Sequence, residues 1–264
     1  MPRFAANLSF LFTELPFLDR FAAAAEAGFE GVEILFPYDW PASEVSAALK
    51  ANDLTLVLFN IWPGDWAAGE RGLAGIPGRE ADFEERVAQA LRYADELGCL
   101  RLHAMAGLAE HGANFETYYA NLSRAARMAA SHGIDILIEP INSRDIPGYL
   151  LNRTEDARTT IEAVGVSNIG LQFDLYHRHI EQGGVENAIM EFGYLARHYQ
   201  VAGPPDRGEP DAGDLDYAAI FNLLDASDFR GWVGCEYRPR AATKEGLMWA
   251  QRCGVRFDGK PNTA

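Results

Sequence analysis

Along the whole chain, short runs that are apolar at nearly every position alternate with longer runs that are apolar at every third or fourth position. The short runs are RFAANL (3–8), GVEILF (31–36), LTLVLFN (54–60), LRLHAM (100–105), IDILIE (134–139), IGLQFD (169–174), YQVAG (199–203) and GWVGCE (231–236). Runs of this kind predict strands covered on both faces, the condition of a parallel sheet. Between them PFLDRFAAAAEAG, SEVSAALKAN, DFEERVAQALRYADELG, FETYYANLSRAARMAASHG, TEDARTTIEAVG and DYAAIFNLLDAS predict helices. Gly28, Gly98 and Gly133 stand where helices stop, and Thr154 in TEDA stands where one would be capped.

About eight strand–helix units of about 30 residues, with no composition break, predict one α/β domain over residues 1–264, a (β/α)8 TIM barrel. No G-x-G-x-x-G follows an early strand, which argues against a dinucleotide-binding sheet. The Gly-rich stretch 64–80 (GDWAAGERGLAGIPGRE) interrupts the pattern after the third strand and is a candidate lid. The tail from about residue 254 is expected to fray.

Composition narrows the function. The 48% apolar and 23% charged content is that of a globular enzyme or binding protein. A net charge of −15 argues against non-specific nucleic-acid binding, although a few cations in a cleft can still bind a small anion. Three cysteines (Cys99, Cys235, Cys253) without C-x-x-C spacing argue against a disulfide framework and for a reducing compartment. No leader pattern and no stretch approaching about 18 apolar residues is present, so a cytoplasmic location without membrane contact is expected. The sequence leaves a homo-oligomer open.

In a barrel, chemistry gathers at the C-terminal strand ends. Glu139, Asp174, Gln200 and Glu236 are polar residues carried by the last four strands, with gaps of 35, 26 and 36 residues. Three carboxylates at one rim repel, which raises a pKa or calls for a cation, and oxygen-only donors suit Mg²⁺ or Mn²⁺. Taken singly, each acid reads first as a strand-end cap or ion-pair partner; it is the set of four that points to a metal. His177 lies just beyond the sixth strand and could meet a substrate oxygen. Arg207 could fork onto a substrate carboxylate, or pair with Asp206, Glu209 or Asp211. His103, His111, His132 and His198 have no spacing that marks a site. Phe36, Tyr38, Trp62 and Trp66 read as core or lid packing, with a pocket wall as the alternative.

The ordered set FAANLSFLF, LFPYDW, GDWAAGERG, IPGRE, IEPIN, DIPGY, DLYH, DRGEP and GWVGCEY resembles the hydroxypyruvate isomerase family, within the wider xylose isomerase-like barrels, to about Trp249. The resemblance implies metal-ligand and catalytic roles for Glu139 and Glu236, metal ligation by Asp174 and Gln200, and substrate binding by His177 and Arg207. Gly203 stands where hydroxypyruvate isomerases proper often carry aspartate, which resembles relatives acting on four-carbon 2-oxo-tetronates. The implied reaction is proton transfer between the two glutamates through an enediolate on a short oxo acid, with a divalent metal. The alternatives are a ketose 3-epimerase, which would take uncharged sugars, and a non-catalytic sugar-acid binding protein. A related endonuclease is disfavoured by the acidic surface and the few clustered histidines.

Overall fold

Side chains along the strands of the computed structural model sort by parity into two layers. The structure describes residues 2–211 and 213–257. Ala5, Val57, Leu58, Leu137 and Trp232 form a small apolar cluster of their own. Their strand neighbours Phe4, Ala6, Leu56, Ile136, Ile138 and Val233 belong to the large cluster that includes the helices. Successive strand residues face opposite sides, except at Val57 and Leu58, where the pairing to Val32 and Glu33 skips a residue; the small cluster thus fills the inside of a closed sheet and the large one packs its outside.

The closed sheet holds eight parallel strands in chain order: β1 (Arg3–Asn7), β2 (Gly31–Ile34), β3 (Thr55–Asn60), β4 (Arg101–His103), β5 (Asp135–Ile138), β6 (Ile169–Asp174), β7 (Ala196–Val201) and β8 (Trp232–Cys235), with β8 pairing back onto β1. Around it run α1 (Asp19–Glu26), α2 (Ala42–Ala51), α3 (Glu80–Leu97), α4 (Phe115–Ala130), α5 (Thr154–Val164), α6 (Leu175–Gln182), α7 (Val185–Phe192), α8 (Tyr217–Ala226) and the short α9 (Thr243–Gly246) and α10 (Trp249–Arg252). This is the expected (β/α)8 barrel. All eight predicted strands are present, though β7 begins three residues earlier than YQVAG suggests.

Helix α3 shows how the pattern becomes packing. Phe83, Val87, Ala90, Leu91, Ala94 and Leu97 form its buried stripe, the i, i+4, i+7 spacing that turns one face to a core. It stops at Gly98, whose φ of 67° suits a residue without Cβ and whose N–H reaches Ala94 O. Truncating Phe83 would cost about 3–5 kcal/mol.

Three expectations need correction. Thr154 does not cap α5: it is the first helical residue, buried, and the N-cap is Arg153 with no side-chain cap bond. Helices α6 and α7 were not predicted, because LYHRHIEQ is polar on most faces and Gly183 and Gly184 leave only short stretches. The tail expected to fray from about 254 is packed as far as Phe257: Val255 is buried and Phe257 stacks on Phe29 at 4.1 Å. The remainder of that tail, 258–264, lies outside the described residues. Among the described residues no helix is long and apolar enough to cross a membrane.

Parity also sets the two ends of the barrel. Asn7 and Glu236 lie two and four places beyond the inward residues Ala5 and Trp232, and Glu139 lies two beyond Leu137, all at the C-terminal rim. Arg3 and Asp135 lie two places before Ala5 and Leu137, at the opposite rim, where Arg101 pairs with Asp135 in register.

Candidate active site

The four polar residues expected at the strand ends are all buried at the C-terminal rim. Glu139 and Glu236 directly follow β5 and β8, Asp174 ends β6, and Gln200 is the penultimate residue of β7. Because β7 starts at Ala196, Gln200 falls near its end and reaches the rim. His177 stands in the first turn of α6, and Arg207 in the loop after β7.

Arg207 is the cation common to this group. Its Nη2 donates to Glu236 Oε1 at 2.5 Å and lies 3.6 Å from Asp174 Oδ2, while Nη1 lies 3.6 Å from Asp145 Oδ2. The guanidinium sits over the rings of Phe10 and Tyr176, 5.1 and 5.3 Å from their centroids. Its backbone takes φ 57°, a costly region for a side-chain-bearing residue. Reciprocal bonds between Gly203 and Gly208, and Arg238 N–H donating to Arg207 O, hold the loop in that shape. Arg207 therefore faces the rim carboxylates, not Glu209 and Asp211, which pair with Arg240.

Glu236 accepts also from Asn7 Nδ2 at 3.0 Å and Gln200 Nε2 at 2.5 Å. Burial pushes its carboxyl up to about 8 against the pull of Arg207, and Glu33 and Asp174 push the same way. Burial, Glu236 and Asp174 raise the Glu139 carboxyl well above its ordinary range. Asp174 is raised too, chiefly by burial, with Arg207 and the His177 N–H opposing.

Gln200 bridges two depths of the barrel. Its Nε2 donates to Glu236 and, at 2.7 Å, to Glu33 Oε2; its Oε1 accepts from Gln172 Nε2 at 2.7 Å. Glu33 was not singled out from the sequence, although an acid inside GVEILF breaks an apolar run and is the kind of signal to look for. It fits inside the barrel because Gly234 has no side chain; a Cβ there would collide with Glu33 Oε1. Burial pushes its carboxyl up to about 8. His198 Nε2 lies 3.2 Å from Glu33 Oε1 without hydrogen-bond alignment.

His177 has a fixed tautomer. Asp145 N–H donates to Asn142 Oδ1 at 2.8 Å, which turns the Asn142 Nδ2 toward His177 Nδ1 at 2.6 Å; the Asn142 backbone N–H points at the same nitrogen. Nδ1 is then an acceptor and Nε2 carries the proton. Burial, with Arg207 and His103 nearby, keeps the ring neutral. Its Nε2–H faces Glu139 Oε1 and Asp174 Oδ2, each 3.8 Å away. His103, read from the sequence as structural, lines the same place with Nδ1 3.6 Å from Glu139 Oε2.

Glu139, Asp174 and His177 each bring a ligand atom within 4.8 Å of the others, a group that could hold a metal ion. Glu139 Oε1 and Asp174 Oδ2 are buried with no hydrogen-bond partner. Two such oxygens aimed at one point fit a cation, because a buried carboxylate without one is expensive. The protonated Nε2 makes His177 the least suited of the three as ligand.

Residues 64–80 do not hang free. Leu73 and Ala74 are buried, Gly75 N–H donates to Ala106 O, and a Cβ on Gly72 (φ 124°) would strike the Met105 carbonyl. Glu70 accepts from Asp65 N–H at 2.5 Å and Arg79 at 2.6 Å. Phe36, Trp62, Trp66 and Tyr38 form one aromatic cluster at this side, and Trp66, 40% exposed, carries Arg71 over its face.

The family model described as xylose isomerase-like TIM barrel matches residues 21–253. The chain is 52% identical over 253 residues to the 2-oxo-tetronate isomerase of Cupriavidus necator, covering 94% of this chain and 97% of that one. It is 45% identical to the hydroxypyruvate isomerase of Escherichia coli, covering 94% and 98%. A solved structure from Brucella melitensis, described as an AP endonuclease of family 2, superposes with a TM-score of 0.93 at 49% identity, over 96% of this chain and 99% of that one.

Proposed function

The chain belongs to the xylose isomerase-like TIM barrel family, and from that membership we propose that it isomerises a short hydroxy-oxo acid by moving a proton between adjacent carbons. The substrate is a 2-oxo-tetronate or its three-carbon counterpart hydroxypyruvate, which gives tartronate semialdehyde. The higher identity to a 2-oxo-tetronate isomerase than to a hydroxypyruvate isomerase favours four carbons.

The observation that carries this reading is that Glu139 and Glu236 come from strands three apart in an eight-stranded ring, both buried, with Arg207 acting on both. One glutamate takes the proton from the hydroxyl-bearing carbon next to the carbonyl. The other gives a proton to the former carbonyl carbon, and the roles exchange in the reverse direction. The hydroxyl on that carbon loses its proton as its carbon becomes the new carbonyl, an aldehyde from three carbons and a ketone from four, and the former carbonyl oxygen gains one. His177 Nε2–H is placed to donate to a substrate oxygen, and Arg207 to hold the carboxylate. A guanidinium at this point favours an oxo acid over the uncharged sugars of a ketose 3-epimerase.

Glu139 and Asp174 would hold a divalent ion, with Glu236 as a further member of the proposed set and Gln200 only if its amide turns its oxygen from Gln172 to the rim. An all-oxygen set favours Mg²⁺ or Mn²⁺. Such an ion supplies Lewis acidity toward adjacent carbonyl and hydroxyl oxygens.

The test is an assay of hydroxypyruvate beside four-carbon 2-oxo-tetronates in D₂O with defined metal. Deuterium at carbon in the product supports the proton route, while turnover with no solvent deuterium overturns it in favour of hydride migration. Turnover of ketohexoses alone would replace the oxo-acid reading by epimerisation.

A further inference from the structure

A cavity lies away from the glutamates, at the N-terminal mouth of the barrel, and nothing in the isomerase reading uses it. It measures about 670 Å³ and is lined by Arg101 at the start of β4, Arg197 near the start of β7, and Arg230 before β8. Arg3, at the start of β1, lines an adjoining cavity that shares Phe229, Arg230 and Gly231. Two acids, Asp135 and Asp228, also line the main cavity, so cations outnumber anions there in a chain whose net charge is −15.

These arginines are not consumed by ion pairs. Among the described residues no carboxylate lies within ion-pair distance of Arg101, and its Nε is buried with no hydrogen-bond partner. Burial, with the charges of Arg3 and Arg197, acts against its protonated form, and Cys99 and Asp135 partly oppose them. Arg197 Nη2 donates only to a carbonyl, Ser167 O, at 3.3 Å; Arg230 Nη1 donates to the carbonyls of Ser227 and Phe229 at 2.9 and 3.0 Å. Guanidinium groups held by carbonyls keep their charge and further N–H donors. The rest of the wall is apolar, with Tyr199 and Phe229 packed edge to face at 4.8 Å and Tyr194 and Met190 71% and 66% exposed.

We propose that this mouth is a second binding site, for a small molecule that carries a phosphate or paired carboxylates on a partly apolar body. Convergent guanidinium groups repel unless an anion lies between them, and their planar forks match phosphate and carboxylate oxygens. The volume and the few charged groups on an apolar wall are those of a metabolite site. The inference is independent of the isomerase reading, because none of these residues touches Glu139, Glu236 or Arg207.

The test is calorimetric titration of the full chain with inorganic phosphate and, separately, citrate, at constant ionic strength set with NaCl. One saturable site is expected, weakened at least about tenfold by Arg101→Gln or Arg197→Gln, the loss of one charge-assisted contact. Oxo-acid turnover stays at the wild-type rate in both variants. Stronger phosphate binding identifies a phosphate ester as the source, and stronger citrate binding a polycarboxylate. If Arg101→Gln fails to fold, the exposed pair Arg197→Gln with Arg230→Gln gives the same reading. No saturable heat beyond that of chloride, or undiminished affinity in the variants, overturns the site.

Discussion

Asp174 caps the helix that carries His177: its Oδ1 accepts the His177 backbone N–H at 2.9 Å, and its other oxygen, without a hydrogen-bond partner, lies 3.8 Å from the ring Nε2 of the same residue. One carboxylate thus starts α6 and sets how far His177 stands from the rim. One of its oxygens serves the fold, and the other is left for the proposed ion.

That division can be separated by substitution. Asp174→Asn keeps an oxygen for the cap, since asparagine caps about as well as aspartate, but removes the charge. Unfolding free energy should stay close to wild type while Mg²⁺ or Mn²⁺ affinity, read by calorimetry, falls. Asp174→Ala should lose the cap as well, about 0.5–2 kcal/mol in urea unfolding. Unchanged ion affinity in Asp174→Asn would remove Asp174 from the ion's ligands.

Glu139→Gln and Glu236→Gln each keep size and lose the ability to exchange a proton. Turnover should drop by about 10²–10⁴ in each, the range for a lost general acid or base. In the Glu236 variant the amide oxygen can still receive the Asn7 and Gln200 N–H groups, while its nitrogen faces Arg207 and the ion pair is lost, so unfolding in urea is measured beside turnover. Near wild-type turnover in both variants would exclude the glutamate pair as proton carriers.

Much of this arrangement was legible because barrel geometry turns sequence position into spatial position. Glu139, Asp174 and Glu236 each end a run that reads as a strand, so the topology alone brings them to one rim. Gln200 was harder: AR and H before YQV look unlike a strand, yet β7 pairs with β6 from Ala196 onward, with His198 3.2 Å from a buried Glu33. Glu33 itself went unread, since an acid in mid-strand is ordinary unless its surroundings, such as the space left by Gly234, are known. His103 and Asn142 act through contacts across the barrel or between loops, which no spacing along the chain encodes.

The buried carboxyls predict an uncommon pH dependence of stability. Glu33 and Glu236 are raised to about 8, so between about pH 4.5 and 8 the folded chain holds protons the unfolded chain has released. Stability from these groups is complete at low pH and is lost as pH rises through 8. His103 and His198, lowered to about 3 by burial, act oppositely, and their contribution is complete above about pH 6.5. The two effects oppose below pH 6.5, and only the acids act above it. Metal-free protein should therefore lose stability from pH 6.5 to 8, by up to about 1.4 kcal/mol per pH unit for each mismatched proton. Glu33→Gln should flatten that slope in urea titrations, and an unaltered slope would show that Glu33 does not hold its proton.

The last prediction concerns Asn142, which fixes the tautomer of His177 without facing the reacting carbons. Its amide is oriented by Asp145 N–H, so it must donate to His177 Nδ1 and leave the proton on Nε2. Asn142→Asp turns that donor into an acceptor and favours a proton on Nδ1, which removes the N–H aimed at Glu139 and Asp174. The isosteric change should keep the fold, yet lower kcat/KM by about 10–100-fold, the usual cost of misorienting a site histidine through its partner. Nitrogen-15 spectra of the imidazole give a readout that a merely structural role would not move: Nε2–H in the wild type, Nδ1–H in the variant. If the variant shows the exchanged tautomer and full activity, His177 does not donate to the substrate; if the tautomer is unchanged, Asn142 does not set it.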